Sequence, residues 1–384
     1  MKKRATLCLF IFFIAGIAAI PEGKMQASRL QSIAATEKPS IIKTPFGETD
    51  GQKVYQYTLK NSQGMLLKVI SYGGRITDII TPDKNKVLGS VVLGFDSLQQ
   101  YTENASMGAS MGRFANRIAG KKFTLDGKEF NLTAIIHGGL LGFHKRIWNI
   151  QELPGAKQVA LKLTYRSKDG EEGFPGNVTT TVTYTLTNNN EIKIDYTATT
   201  DKPTPINLTN HSYFNLSAGK DKTILNTDLT ILSDQFLEAG DGLIPTGKFL
   251  PVKGSSFDFT VPQKIGSRIN AIDDQLKLGN GYDHTFVLRN STGRLALAAT
   301  AWEPISGRVL QVYTTEPGVI LYTSNNLSEK TIGRKQKPLA KYGAFCLETQ
   351  HFPNSPNQPN FPNTILKPGD TYRSQTVFKF SVRK

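Results

Sequence analysis

Two segments of this chain carry groups able to move protons in opposite senses. Asn210-His211-Ser212-Tyr213-Phe214-Asn215-Leu216 places one imidazole among amides, hydroxyls and aromatic rings. Far downstream, Leu347-Glu348-Thr349-Gln350-His351-Phe352-Pro353 places one carboxylate in a similar setting. An imidazole holds or donates a proton near neutral pH, whereas a glutamate is ordinarily ionised there and accepts one. A reaction that takes a proton from one oxygen and gives one to another needs such a pair.

Three further constellations surround them. Gly112-Arg113-Phe114-Ala115-Asn116-Arg117-Ile118 offers guanidinium forks and an amide. These suit a ligand rich in hydroxyls, and they equally suit an arginine tying down a strand end. In Ile136-His137-Gly138-Gly139 the glycines let backbone approach a ligand or simply make a turn. Gly281-Tyr282-Asp283-His284 contributes a carboxylate that can accept two hydroxyl donors or sit as a turn aspartate. The five histidines (137, 144, 211, 284 and 351) all fall in segments that read as binding loops, which points to sugar chemistry. His144 reads as support for its loop, and Trp148 as a core residue. There is no glycine-rich phosphate loop, nucleophile elbow or HExxH metal motif, and no metal site is expected.

The elements that must position these groups are strands. Val54–Leu59 and Leu66–Ile70 flank an Asn61-Ser62-Gln63-Gly64 turn, and Phe123–Leu125 and Lys128–Phe130 flank Asp126-Gly127, a favoured hairpin turn. Val178–Leu186 alternates threonine with apolar residues and turns at Asn188-Asn189-Asn190 into the alternating Ile192–Tyr196. Leu295–Ala301, Arg308–Tyr313, Val319–Tyr322 and Thr376–Val382 continue the pattern. No helix of three turns is evident, no fixed-period repeat appears, and no compositional break marks a second domain. The expected fold is all-β, a large antiparallel sandwich or barrel over residues 41–384.

The chain has 384 residues and a net charge of +15, with its basic residues dispersed and without a basic helix or RNA-binding signature. Nucleic acid is not an expected partner. Lys2-Lys3-Arg4 followed by the apolar Ala5–Ile20 reads as an export signal over residues 1–20, and residues 21–40 as a tether. The expectation is an exported protein, periplasmic or extracellular, with no stable membrane insertion once the signal is cleaved. Cys8 would leave with the signal. Cys346 would then have no partner for an internal disulfide and reads as a buried structural thiol.

Taken in order, Gly112–Ile118, His137-Gly138-Gly139, Asp169–Gly176, Asn210–Leu216, Tyr282-Asp283-His284, Glu316-Pro317-Gly318 and Leu347–Pro353 resemble the aldose 1-epimerases, or galactose mutarotases, from about residue 40 to the C-terminus. The resemblance implies a β-sandwich with an open sugar cleft, no organic cofactor, and interconversion of the α and β anomers of free aldoses such as galactose and glucose. It implies Glu348 as general base on the C1 hydroxyl and His211 as general acid on the ring oxygen. His137 would orient the reacting oxygens, and Asn116, Arg117 and Asp283 would hold sugar hydroxyls. A small monosaccharide is the expected partner, and the chain a monomer or weak dimer. One departure stands out: members of the family often carry glutamine where this chain has Ile320, and that amide would contact the sugar. The main alternative is a non-catalytic carbohydrate-binding protein on the same scaffold, which would have no need of an acid–base pair. A glycosidase would want a second carboxylate beside Glu348 rather than a histidine.

Overall fold

The computed structural model describes residues 38–104, 106–289 and 293–384. The expected export signal and residues 21–37 of the expected tether lie outside the described residues. Ser40–Thr49 is already a strand, returning as Gln52–Lys60 across Asp50-Gly51. Both turn residues have positive φ, 51° and 69°, the backbone that a two-residue hairpin loop requires and that Asp-Gly tolerates. The Asp126-Gly127 turn repeats the device at φ of 51° and 77° and joins Lys122–Leu125 to Lys128–Asn131.

The fold is all-β, a large β-sandwich in which the paired strands among the described residues are antiparallel. A first five-stranded sheet runs in chain order from Ser40–Thr49 to Leu88–Ser90. A nine-stranded sheet has Tyr372–Val382 near its middle, between Arg308–Thr314 and Glu191–Thr200. A second five-stranded sheet orders Pro245–Pro251, Ser233–Ala239, Asp283–Leu288, Gly318–Tyr322 and Cys346–Gln350. Among the described residues the two α-helices, Leu98–Glu103 and Asp274–Gly279, are six residues each, and their N-caps, Ser97 and Asp273, accept from the first-turn amides. Among the described residues no helix is long and apolar enough to cross a membrane.

The period-2 pattern explains how the sheets stack. Along Glu191–Thr200, Ile192, Ile194, Tyr196 and Ala198 are buried while the residues between them are less so. One core cluster joins Leu67 of the first sheet, Val182, Ile194 and Phe378 of the large sheet, and Phe286 and Leu347 of the third. Phe214 lies inside it, edge-on to Phe378 at 5.1 Å between centroids. Truncating such a ring to alanine costs about 3–5 kcal/mol in lost burial and residual cavity. Trp148 is buried as expected and donates its indole N–H to the Phe143 carbonyl at 3.2 Å.

Candidate active site

A single backbone register carries the two proton-transfer groups together. Phe214 and Phe345 exchange both main-chain hydrogen bonds, at 2.7 and 2.9 Å. In an antiparallel pair, three residues back from Phe214 and three on from Phe345 stand opposite each other, and those residues are His211 and Glu348. The Thr209 hydroxyl, donating to the Thr349 carbonyl at 2.9 Å, closes the far side of the same pairing. His211 is further held from its other flank, where its N–H donates to the Ala109 carbonyl and its carbonyl accepts from Gly108. The result is a His211 Nε2 to Glu348 Oε1 distance of 3.4 Å. Tyr213 stacks on the imidazole at 4.9 Å with the planes 12° apart, and its hydroxyl meets that of Ser106.

The remaining candidates converge from separate loops. Asn116 and His137 both have positive φ, 61° and 55°. The Asn116 N–H donates to His137 Nδ1, and the His137 N–H donates to the Asn116 carbonyl. With Nδ1 used as an acceptor, a neutral His137 carries its proton on Nε2. A Cβ on Gly138 would lie 2.1 Å from the Gly112 carbonyl oxygen, so glycine is required where these loops cross. Arg117 Nη2 donates to Asp283 Oδ2 at 3.2 Å, and the Arg117 carbonyl accepts from Asn354 N at 2.7 Å. Asp283 pairs with Tyr322, and Ile320 with Glu348, in the third sheet. Alternation therefore puts Asp283, Ile320, Tyr322, Cys346 and Glu348 on one face.

Asn116, Arg117, His137, His211, Asp283, Tyr322 and Glu348 together line an open cleft of about 380 Å³. Burial dominates its electrostatics. Desolvation pulls His211 down to about 3 and His137 well below the ordinary histidine range. Desolvation, then the nearby Asp283 charge, pushes the Glu348 carboxyl well above the usual range. At 3.4 Å an imidazolium and a carboxylate attract, yet shifting one proton between them leaves two neutral groups with the same net charge. Burial favours that neutral arrangement.

The pair stands side by side, 3.4 Å apart. The two oxygens of a hemiacetal share one carbon, so an acid and a base serving both must themselves be neighbours. Other residues settle differently from their sequence neighbours. Arg113 is 1% exposed and spends its guanidinium on Pro175, Gly176 and Lys168 carbonyls and the Ser167 hydroxyl, so it is the arginine that ties down structure. His144 does support its loop, its carbonyl accepting from Arg75, but its side chain also lines the cleft. His351 is turned away onto Glu316, Nδ1 to Oε2 at 2.5 Å. His284 accepts the Asp283 N–H and packs edge-on to Phe257. Ile320 is 1% exposed and lines a narrow crevice with Asn116, Arg117 and Asp283, not the open cleft itself. Tyr213, Tyr322 and Lys145 line the cleft without having been singled out. The alternation of Ile320 and Tyr322 with Leu321 gives no sign of which face looks into the cleft until the strand's partners are known.

Comparison with known proteins gives a consistent picture. The family model described as aldose 1-epimerase matches residues 55–379. The galactose mutarotase of Rattus norvegicus is 40% identical over 351 residues, covering 89% of this chain and 99% of that protein. The aldose 1-epimerase of Escherichia coli (strain K12) is 39% identical over 348 residues, covering 88% and 99%. Among solved structures, the galactose 1-epimerase from Lactobacillus acidophilus superposes with a TM-score of 0.80 at 25% identity, covering 90% of this chain and all of that one. The aldose epimerase homologue from C. elegans gives 0.77 at 28% identity, with coverage of 90% and 100%.

Proposed function

The chain belongs to the aldose 1-epimerase family and is an isomerase of sugar anomers, and on that premise we propose the part each cleft residue plays. Glu348 removes the C1 hydroxyl proton while His211, entering as imidazolium, protonates the ring oxygen. The C1–O5 bond breaks, its electron pair and the proton going to O5, and the C1 oxygen forms the aldehyde carbonyl. The aldehyde turns about C1–C2, and reclosure by the reverse transfers delivers the other anomer.

The observation carrying this reading is the 3.4 Å contact between two buried groups that exchange one proton without changing net charge. The closed sugar faces carboxylate and imidazolium, and the open aldehyde faces carboxylic acid and imidazole. Burial favours the second arrangement, so it lowers the energy of the state that ring opening must reach. Each positioned group is worth about 10²–10⁴-fold. His137, with its Nε2–H free for the reacting oxygens, and Asn116, Arg117 and Asp283 hold and orient the hydroxyls. Galactose and glucose are the proposed substrates. The apolar Ile320 gives the sugar one directed hydrogen bond fewer on its side of the cleft.

The test is polarimetry: the purified protein should speed the drift of fresh α-D-galactose or α-D-glucose. Binding of free aldoses with no acceleration over buffer would instead make it a carbohydrate-binding protein. We also propose export through residues 1–20, supported by the basic start and apolar run. Cell fractionation with N-terminal sequencing of the mature chain tests that reading, and light scattering tests a monomer or weak dimer.

A further inference from the structure

We propose that the floor of the cleft is also a binding site for a thiophilic divalent cation, with Zn²⁺ as the type, held by His211, Cys346 and Glu348. The ion would inhibit the enzyme reversibly by occupying its acid–base pair. The inhibition rests on the reading of that pair given above; the binding does not.

One ring nitrogen of His211, the Cys346 sulfur and a Glu348 carboxylate oxygen lie within 4.8 Å of one another. All three residues are more than nine-tenths buried, at 5%, 0% and 2% exposure. Cys346 and Glu348 are two apart on one strand and so face the same way, while His211 stands opposite Glu348 in the neighbouring register. Zinc–ligand bonds of about 2.0–2.3 Å set ligand-to-ligand edges of roughly 3.3–3.8 Å in a tetrahedron. The His211–Glu348 separation of 3.4 Å already has that length. Cys346 would need to close by about 1 Å, a small side-chain movement on the scale of that edge.

A second observation points to a ligand at the same carboxylate, on the oxygen other than the one 3.4 Å from His211 Nε2. Glu348 Oε2 is buried with no hydrogen-bond partner, a costly state for an acceptor oxygen that a cation would relieve. Charge also balances: one thiolate and one carboxylate neutralise a dication, so the loaded site buries no net charge. Binding from the neutral arrangement releases two protons to solvent, one from Cys346 and one from Glu348, as the Zn–S and Zn–O bonds form. The three protein ligands leave a fourth direction for water, the pattern of an accessible zinc site. A sulfur–nitrogen–oxygen set of three does not suit Mg²⁺ or Ca²⁺, which call for six or more oxygens.

The experiment uses the full chain, with Co²⁺ as spectroscopic probe and Zn²⁺ as inhibitor. Co²⁺ should give a thiolate-to-cobalt charge-transfer band. Zn²⁺ should slow mutarotation by raising the apparent KM for sugar, with reversal by chelator and no effect of Mg²⁺. Cys346→Ala should remain a mutarotase, lose the band, and need at least about tenfold more Zn²⁺ for the same inhibition. Cys346→Ser provides a near-isosteric second variant, and the wild-type cobalt spectrum requires no variant at all. Absence of the thiolate band, or unchanged zinc sensitivity in a folded Cys346 variant, overturns the proposal. A chain that shows the band yet never speeds mutarotation keeps the cation site and discards the acid–base reading.

Discussion

Asp283 and Glu348 share one face of the third sheet, and the charge of the first opposes ionisation of the second. Burial is the larger cause of the raised Glu348 proton affinity, and the Asp283 carboxylate adds to it, against the pull of Arg117. Asp283→Asn removes that repulsion. The pair must hold one proton to act, so activity falls as pH climbs through the raised Glu348 pKa and strips that proton, leaving His211 none to give the ring oxygen. Lowering that pKa moves the alkaline limb of the kcat profile toward lower pH. The same variant loses a charged hydroxyl acceptor, worth about 1.5–3 kcal/mol, so KM should rise tenfold or more. A pH–rate series by polarimetry reads both; an unmoved alkaline limb would remove Asp283 from the electrostatics of the base.

Glu348→Gln and His211→Asn should each slow catalysed mutarotation by about 10²–10⁴-fold. Both replacements are close in shape, and the main-chain bonds that position them come from Phe214, Phe345, Ala109 and Gly108. Circular dichroism and the melting temperature should therefore stay near wild type. Retained turnover in either variant, measured by anomer-resolved NMR exchange, would show that the pair is not the acid and base.

Behind the cleft, Glu316 is bound by His351 Nδ1 and by the Tyr372 hydroxyl. Burial lowers His351, but Glu316 outweighs it and the net shift is upward; burial raises Glu316, but His351 outweighs it and the net shift is downward. The histidine's contribution to stability is complete below its unfolded pKa near 6.5 and is lost as pH rises through the folded value. The glutamate's is complete above about 4.5 and is lost as pH falls through its own. The pair thus stabilises most between roughly pH 4.5 and 6.5. His351→Ala leaves a buried carboxylate unpaired and should cost about 3–5 kcal/mol. Denaturant melts from pH 5 to 9 should show the wild-type excess stability shrinking toward the alkaline end; a constant difference would mean the pair is not ionic.

Much of this was readable in the chain because it is local. Asp-Gly turns fix their own backbone, alternation names a strand's buried face, and a histidine among amides is conspicuous. What remained hidden is register between distant strands. Nothing in Tyr213-Phe214 or Ala344-Phe345 announces that they pair, yet that pairing decides that His211 meets Glu348 at 3.4 Å. Residue type alone left Arg113 and Arg117 equivalent, and only the family resemblance set Arg117 apart; four residues apart, one braces the Pro175 turn and the other reaches Asp283. The Glu316–His351 bond and the placement of Cys346 under the pair likewise depend on which strands lie side by side.

Ile320 shows how register turns a sequence departure into a measurable expectation. It stands opposite Glu348, fully buried, and its side chain lines a crevice shared with Asn116, Arg117 and Asp283. Glutamine there would carry an amide on the same face, beside groups proposed to hold the sugar. One added neutral hydrogen bond is worth about 0.5–1.5 kcal/mol, so Ile320→Gln should lower the KM for galactose by about two- to tenfold. Where the amide finds no partner in the empty cleft, its burial costs about 1–3 kcal/mol, and the melting temperature should fall accordingly. Adding galactose should restore part of that loss, because the ligand supplies the missing partner. A lower melting temperature with unchanged KM and no galactose rescue would place Ile320 beyond reach of the sugar, leaving it a packing residue behind Arg117.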